Sequence, residues 1–450
     1  MTVTPMVPPV SVHGPGAPAV VPPSSVPLGF LAAGGVGMTA FGVAAWFAAD
    51  RAVVSPTHPG VVSAVHVGVL AFLSIAVLGA LHQFAPVVGR RPLRSVPAAR
   101  ASLVGMLVTA WLLPTGFAHG PEWLIPTAGL VGAATVLLVA WNLSGPLGSR
   151  DAGLPGWGMR FSVAYLVITV GFGVVYAFDR QTGWFPLLPH RVLAHAHLGL
   201  IGWLGLTYVS VAEKLWPMFL LAHRPKARSG VVAVWAIASG VLMLAPGLLF
   251  AVPALAWSGG AIVGIGAIAH LTSLVAYVRH RRRPLELLHA YLFVSAGFLV
   301  AAIALGAAAG GASVSTAVRV RLASAEVAAL IAWLALAITG HAHKIVPFIG
   351  YSVLRARGIT EGPGGKPLLF GDLFAKTPAR VALGLGAAGF AIVLAGILSG
   401  TAMLVALGGG AVAGCGAITT VNLASGPHRV RRAAMRCPDD ASILFEGGPR

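Results

Sequence analysis

Histidines inside long apolar stretches are the residues of this chain that could do chemistry. His195 and His197 stand one residue apart at the start of an apolar run that extends to Glu213, and His66 opens a similar run. Imidazole is a common ligand of iron, copper and zinc, and an ionisable side chain in a membrane-spanning helix usually faces the bundle interior. The alternative is that these histidines reach the membrane interface or bond to a buried carbonyl group.

The composition indicates which kind of protein positions these histidines. Hydrophobic residues make up 57% of the 450 residues and charged residues 9%, which is typical of a polytopic membrane protein. A helix of about 20 apolar residues crosses the hydrocarbon core of a bilayer. The sequence predicts twelve such spans, at 28–49, 61–88, 101–119, 125–147, 161–178, 195–221, 229–251, 257–278, 285–309, 320–350, 379–400 and 402–424.

The charge distribution predicts the orientation of these spans. The net charge is +18, and with the N-terminus inside, 23 of the 30 Lys and Arg residues fall in cytoplasmic segments and five in external ones. Lys214 and Lys344 lie within helices. This asymmetry is the positive-inside rule, so the basic residues orient the chain and do not indicate a nucleic-acid partner. We expect a multi-pass protein of the cell inner (plasma) membrane, in contact with the lipid bilayer, with both termini cytoplasmic.

The remaining segments leave no room for a soluble catalytic domain. Residues 1–27 contain eight prolines and no Lys or Arg, which predicts a disordered cytoplasmic tail and not a signal peptide. The membrane domain is predicted at 28–425 and a second cytoplasmic tail at 426–450. The two cysteines, Cys415 and Cys437, are in no metal-binding spacing, so a disulfide framework or a thiolate metal site is not expected. Any chemistry must occur inside the bundle.

A repeat organises the twelve spans. Pro86, Pro217 and Pro347 end the second, sixth and tenth spans and are 131 and 130 residues apart. Regular self-similarity of this kind indicates repeated architecture. The sequence therefore predicts an all-α membrane protein of twelve transmembrane helices in three pseudo-threefold four-helix arcs. The repeat units are about 28–148, 161–278 and 285–424.

The repeat divides the buried polar residues into two layers. The outer layer contains His66, His195, His197 and Glu326. The inner layer, deeper by roughly 24 Å because 16 residues rise 1.5 Å each, contains His82, Glu213, Lys214, His341, His343 and Lys344. His82, His341 and His343 could hold a metal ion or a second haem. Equally, Glu213 could pair with Lys214 or Lys344 in a structural contact or form part of a proton route.

The arrangement resembles subunit I of the haem–copper oxidase superfamily, which includes the nitric oxide reductases. The segment 194–203, AHAHLGLIGW, is similar to the family's His-x-His haem helix, and His66 with Gly79 and Pro86 is similar to its second helix, whose histidine ligates the low-spin haem. The segment 340–348, GHAHKIVPF, also resembles a divergent, NnrS-like bacterial branch. The resemblance in architecture covers about residues 28–425.

The sequence departs from this family at the copper site. The His-x-His match lies on the sixth span and not the tenth, and the seventh span contains no histidine, so the family's adjacent His-His copper pair is missing. Copper beside a haem needs about three convergent imidazoles. We therefore expect no copper in the usual family site, and oxidoreductase activity of the oxidase or nitric oxide reductase type is left open.

The resemblance implies one b-type haem, held by His66 and His197, with His195 facing a neighbouring slot. The small residues Gly68, Gly199 and Gly202 could leave room for a porphyrin, or could serve tight helix packing. The implied function is electron transfer or nitric oxide or oxygen chemistry, with an unidentified donor such as cytochrome c, a quinol or another redox protein. Two alternatives stay open: a transporter or channel that uses buried Glu, Lys and His residues, and a non-catalytic haem or metal stress-response protein.

Overall fold

A computed structural model describes residues 20–222, 228–311, 313–362, 365–428 and 430. Within these residues, twelve helices are long and apolar enough to cross a membrane, and no β-strand occurs. The predicted all-α, twelve-helix, multi-pass membrane fold is confirmed. The helices are α1 (Ser25–Phe47), α2 (Pro59–Gly89), α3 (Val96–Ala118), α4 (Leu124–Leu147), α5 (Arg150–Thr182), α6 (Pro189–Leu220), α7 (Ser229–Leu249), α8 (Pro253–Arg279), α9 (Leu287–Ala309), α10 (Thr316–Ala356), α11 (Lys376–Ser399) and α12 (Ala402–His428).

Residues 1–19 of the predicted N-terminal tail, and nearly all of the C-terminal tail including Cys437, lie outside the described residues. The end of the bundle at which α2, α6 and α10 begin is called the outer end below, after the orientation that the charges predict. Pro86 and Pro217 lie three residues before the ends of α2 and α6, whereas α10 continues for nine residues beyond Pro347. The three prolines therefore do not all mark a helix end.

The helices that carry the repeat lie at the centre of the bundle. In the most apolar stretch of α2, α6 and α10, 72%, 72% and 67% of the residues are buried, against 28–50% in the other helices. A helix that is apolar all round and buried all round belongs in a bundle core. One inner helix from each repeat unit therefore forms the centre, and the remaining helices surround them.

The outer helices and the inner helices enclose three sectors. The first sector lies between α2, α3, α4, α5 and α6, and the second between α6, α7, α8, α9 and α10. The third sector lies between α10, α11, α12, α1 and α2, because α12 packs along α1 and closes the bundle. Each inner helix is thus a wall of two sectors, so one helix can present different side chains to two compartments.

Equivalent contacts recur in different repeat units. The Asn142 side-chain oxygen accepts from the backbone N–H of Ser95 at 2.8 Å, and Asn422 binds Ala375 in the same way at 2.8 Å. Both asparagines thereby satisfy an N–H at the start of the preceding helix, a group that has no partner within its own helix. These contacts, 47 residues apart in both units, support the predicted repeat.

The inner helices α2 and α6 share a backbone irregularity. An eight-residue π-helix, Val67–Ser74, follows directly after His66, and a second eight-residue π-helix, Leu198–Gly205, follows directly after His197. The aligned part of α10 is regular α-helix. π-Helical segments are rare and occur frequently at functional sites, so the outer halves of α2 and α6 are the first place to look for one.

Candidate functional site

A cavity of about 680 Å³ lies at the outer end of the bundle. Among the described residues, its lining comes from α1 to α6 and from α10 to α12, together with Ala48, Ala52, Pro56 and Thr57 between α1 and α2, and none of it from α7, α8 or α9. The cavity therefore extends into the first and third sectors. Its walls are largely apolar, and its volume lies within the range of about 300–1,000 Å³ of known ligand pockets.

Three histidines line this cavity: His66 on α2, and His190 and His195 on α6. The ring centroids of His66 and His195 are 6.4 Å apart, and their planes are inclined by 27°. Phe117 of α3 packs against His66 with centroids 5.6 Å apart, and Tyr176 of α5 packs against His195 at 5.9 Å. Each imidazole is thus held between its partner imidazole and one aromatic ring of the first sector.

The hydrogen bond of His66 determines which of its ring nitrogens carries the proton and which has a free lone pair. Nδ1 lies 2.8 Å from the carbonyl oxygen of Val62, one helical turn earlier. Because a carbonyl can only accept, Nδ1 carries the proton, which leaves the lone pair on Nε2. A metal-binding histidine usually has this arrangement, with its second ring N–H donated to a backbone carbonyl. The Nε2 lone pair of His66 is therefore available, as it is in His82, His341 and His343, which make the same bond to a carbonyl one turn earlier.

His195 also has an unusual polar environment. Its Nδ1 is buried and has no hydrogen-bond partner among the described residues, while the imidazole also hydrogen-bonds to the backbone of Thr169. The neighbouring wall of α5 is open at Gly173, where an added Cβ would meet only the Cε1 atom of His195, at 3.5 Å. Leaving a buried polar atom without a partner costs about 1–3 kcal/mol. Such a cost is commonly associated with a ligand site.

His197 does not line the cavity. Its Nδ1 donates to the carbonyl oxygen of Leu193 at 2.8 Å, and its Nε2 lies 3.2 Å from Oε1 of Glu326 on α10. Gly306 of α9 leaves room for this carboxylate, since an added Cβ would lie 2.6 Å from Oε1. Both ring nitrogens are thus engaged. The structure brings His66 together with His195, whereas the sequence predicted His197 as its partner.

The inner-layer residues occupy separate environments. His82 packs against Phe30, and His343 packs against Tyr291 and Phe374. Within the described residues, no group of three or more His, Cys, Asp or Glu side chains is arranged to hold a metal ion. The structure does not bring His82 and His343 together with His341, whose contacts lie in the second sector.

Glu213, for which the sequence left open a pairing with Lys214 or Lys344, contacts a tyrosine. Tyr277 of α8 donates its hydroxyl to Oε2 of Glu213 at 2.7 Å, and Lys344 instead binds Glu286, with Nζ 2.6 Å from Oε2. Lys214 is exposed. The sequence interpretation missed Glu286, which directly precedes α9 and was not among the polar residues of the two predicted layers.

The second sector contains a polar aromatic cluster that sequence reasoning also missed. Tyr208 of α6 contacts His270 of α8 and His341 of α10, with ring centroids 5.5 and 5.9 Å away. Both nitrogens of His270 and Nε2 of His341 are buried without a described partner. Trp333 packs on the same tyrosine at 5.6 Å. Side chains fill this sector where the first sector has a cavity.

The three glycines expected to leave room for a porphyrin have different roles. Gly199 lines the cavity. A side chain at Gly68 would collide with the ring of Phe41, and one at Gly202 would meet Tyr165 and Val241. Gly68 and Gly202 therefore serve helix packing, the alternative that the sequence left open.

Comparisons with protein-family models and with curated proteins find no match to this chain.

Proposed function

We propose that this protein binds one b-type haem in the first sector, with His66 and His195 as the axial ligands, and serves electron transfer or small-gas chemistry. The observation that carries the proposal is the pair of imidazoles across the cavity. Two imidazoles that bind opposite sides of one iron, each at about 2 Å, have ring centroids about 6 Å apart, and those of His66 and His195 are 6.4 Å apart. Aromatic rings that pack directly can have the same separation, which is the alternative tested below.

The surroundings of the two histidines support this assignment. A porphyrin needs a wide apolar slot between helices, and the cavity of about 680 Å³ has walls of that character. His66 has a free Nε2 lone pair because Val62 holds its Nδ1 proton. His195 replaces the predicted His197, whose nitrogens are engaged by Leu193 and Glu326.

The residues around this pair have definable roles in such a site. Val62 fixes the tautomer and the orientation of His66, while Phe117 and Tyr176 limit the rotation of the two imidazoles and exclude water. Bound between two imidazoles, a haem supplies one-electron chemistry, with a potential tuned by these ligands and by burial. Small-gas binding would require one histidine to leave the iron.

A spectrum of the purified protein tests the proposal. We expect about one haem per chain by iron analysis and a reduced-minus-oxidised spectrum with a narrow α band. His66→Ala and His195→Ala should each abolish the low-spin spectrum, whereas His197→Ala and the matched control His280→Ala, on an exposed residue, should retain it. His190 is not a suitable control, because it lines the cavity.

Three results would contradict the proposal. Purified protein without stoichiometric iron would show that no haem is bound. A full low-spin spectrum in His195→Ala would show that His195 is not a ligand. Loss of the spectrum in His197→Ala, with the fold intact, would restore the pairing with His197. Copper analysis and turnover with nitric oxide or oxygen then separate an oxidoreductase from a non-catalytic haem stress-response protein.

A transporter is the second candidate, and the cluster in the second sector favours it. Ionisable side chains within a membrane bundle often mark a substrate or ion pathway, and His270 and His341 have buried nitrogens without described partners. This candidate predicts protein without haem and solute uptake by proteoliposomes that Tyr208→Phe or His270→Ala abolishes. Haem-containing protein without such uptake would exclude it.

A further inference from the structure

The third-sector part of the cavity differs chemically from the part that contains His66 and His195. The lining residues on α1, α11 and α12 are apolar side chains or glycine, for example Ala45, Val393, Ile397 and Val412. By contrast, the three histidines of the lining lie on α2 and α6. The side chains that α1, α11 and α12 contribute to the lining therefore include none that could ligate a metal or bind a compact polar substrate.

The shape of this compartment fits a linear chain. Its lining along α10 extends from Thr316 to Ile331, which is about 22 Å of helix at 1.5 Å per residue. Its inner end is closed by aromatic rings, since Phe390 packs against Phe41 and Phe298 with centroids 6.4 and 6.2 Å away. The compartment thus extends along α10, is closed at one end by aromatic rings and is mostly apolar.

The outer end of the compartment carries a positive charge. Arg319 lines the cavity in the first turns of α10, a helix that borders the third sector and not the first. Its Nη2 donates to the carbonyl oxygens of Gly311 and Val314 at 3.1 and 3.4 Å, which ties the exposed guanidinium to the connection between α9 and α10. Thr57 and Thr316 are also among the residues that line the cavity. A guanidinium fixed in this way binds a carboxylate or a phosphate.

We propose that the third sector holds the apolar chain of a membrane amphiphile whose anionic head group lies beside Arg319. The chemistry common to a fatty acid and to one chain of an anionic phospholipid fits this compartment. The proposal does not depend on haem, because none of its residues belongs to the first sector.

Photolabelling of the purified full-length protein with a diazirine-bearing hexadecanoic acid tests this site. We expect labelled peptides from α10, α11 and α12, and a loss of labelling of at least fivefold in Val393→Trp, which fills the third sector. Ala323→Leu is a milder variant for the same purpose if the first does not fold. The matched control is Gly173→Leu, which fills the first sector beside His195 and should keep the labelling while it removes any haem spectrum. If the protein binds no haem, the comparison of labelling between Val393→Trp and Gly173→Leu still tests the site.

A second set of labelling measurements tests the anionic head group. Arg319→Gln should weaken labelling by the acid about tenfold and leave labelling by the corresponding alcohol unchanged. Competition by phosphatidylglycerol would identify a phospholipid as the source of the chain, and no competition would identify a free fatty acid; both results support the site. Labelling confined to lipid-facing positions and insensitive to Val393→Trp and Ala323→Leu would overturn the proposal. Equal effects of Arg319→Gln on acid and alcohol would overturn the anionic head group.

Discussion

The helix pairs α1–α2 and α9–α10 match in their inner halves and differ in their outer halves. Phe30 packs on His82, and Tyr291 packs on His343, in each case with ring centroids 5.2 Å apart and planes inclined by 28°. Both members of the second pair lie 261 residues after those of the first. The inner half is therefore a common packing unit that two arcs use with the same geometry.

The difference begins at the middle of the bundle. Gly37 of α1 lies against the π-helical backbone of α2 at Ala71, so that an added Cβ would collide with that carbonyl group. The position 261 residues later is Phe298, which packs on Phe390 of α11, and the part of α10 that aligns with the π-helix is regular α-helix. His66 likewise corresponds to Val327. The small residue, the π-helix and the histidine occur together in one pair, and none of them in the other.

This comparison distinguishes the segments that provide helix packing from the segments that form the cavity. The segment Val67–Ser74 contains a glycine and two valines, and Leu198–Gly205 contains three glycines, whereas residues 328–335 of α10 read AALIAWLA and consist mostly of strong helix formers. Weak helix propensity allows a wider turn at low cost. We infer that the repeat supplies the packing and that the outer halves of α2 and α6 are specialised for the cavity.

The largest expected effect concerns the contact through which α10 supports α6. His197→Ala leaves the buried Glu326 carboxylate without its partner, and breaking such a pair should lower the free energy of unfolding by about 3 kcal/mol. Glu326→Ala should cost less, about 1 kcal/mol, because an imidazole left alone can become neutral. Thermal unfolding in detergent measures both.

The double variant completes this test. His197→Ala with Glu326→Ala removes both polar groups, so it should be more stable than His197→Ala alone. If the losses of stability of the two single variants add in the double variant, the two side chains do not interact. This contact would then not link α6 to α10.

Gly37→Ala tests whether α1 must be small where α2 is π-helical. The added methyl group has no space against the Ala71 backbone, and overpacking of this kind should cost about 2 kcal/mol. The matched control is Gly171→Ala, since no atom lies within 4 Å of an added Cβ there. The control should be neutral or slightly stabilising, because alanine favours a helix. Equal unfolding temperatures for the two variants would contradict the close approach of α1 and α2.

The sequence predicted the scaffold better than the site. Hydropathy located the spans, and the proline spacing identified α2, α6 and α10. The start of α6 was predicted at His195, but the helix begins at Pro189, because proline is favourable in a first turn although Pro189 and His190 resemble a loop. His190 is consequently part of α6 and lines the cavity.

The choice between His195 and His197 could not be made from spacing. Residues two apart on a helix point about 200° away from each other, so one of the two faces the cavity and the other does not. Which one does depends on the rotation of α6 about its axis, which packing against α5 and α10 determines. The π-helices add to this uncertainty, since an argument from a period of 3.6 residues does not include them.

The smallest expected effect lies in the half that the two pairs share. Tyr291 donates its hydroxyl to the carbonyl oxygen of Ala379 at 2.8 Å, and the corresponding residue Phe30 has no hydroxyl. In the first arc, the carbonyl of Ala99, 280 residues before Ala379, accepts from Ser102 at 2.8 Å, and the residue 280 after Ser102 is Ala382. Each arc thus supplies one hydroxyl group to the equivalent carbonyl oxygen. In the first arc the hydroxyl comes from Ser102 on α3 itself, and in the third arc it comes from Tyr291 on α9.

Tyr291→Phe should therefore lower the free energy of unfolding by about 0.6 kcal/mol, the average for a side-chain hydrogen bond between membrane helices. Adding Ala382→Ser should restore most of this loss, because its hydroxyl would bond to the Ala379 carbonyl as Ser102 does to that of Ala99. Ala382→Ser in the unchanged protein is the control, and it should gain little while Tyr291 occupies the acceptor. If the serine gives the same increment with and without Tyr291, the two hydroxyls do not share an acceptor, and the equivalence of the two arcs fails at this position.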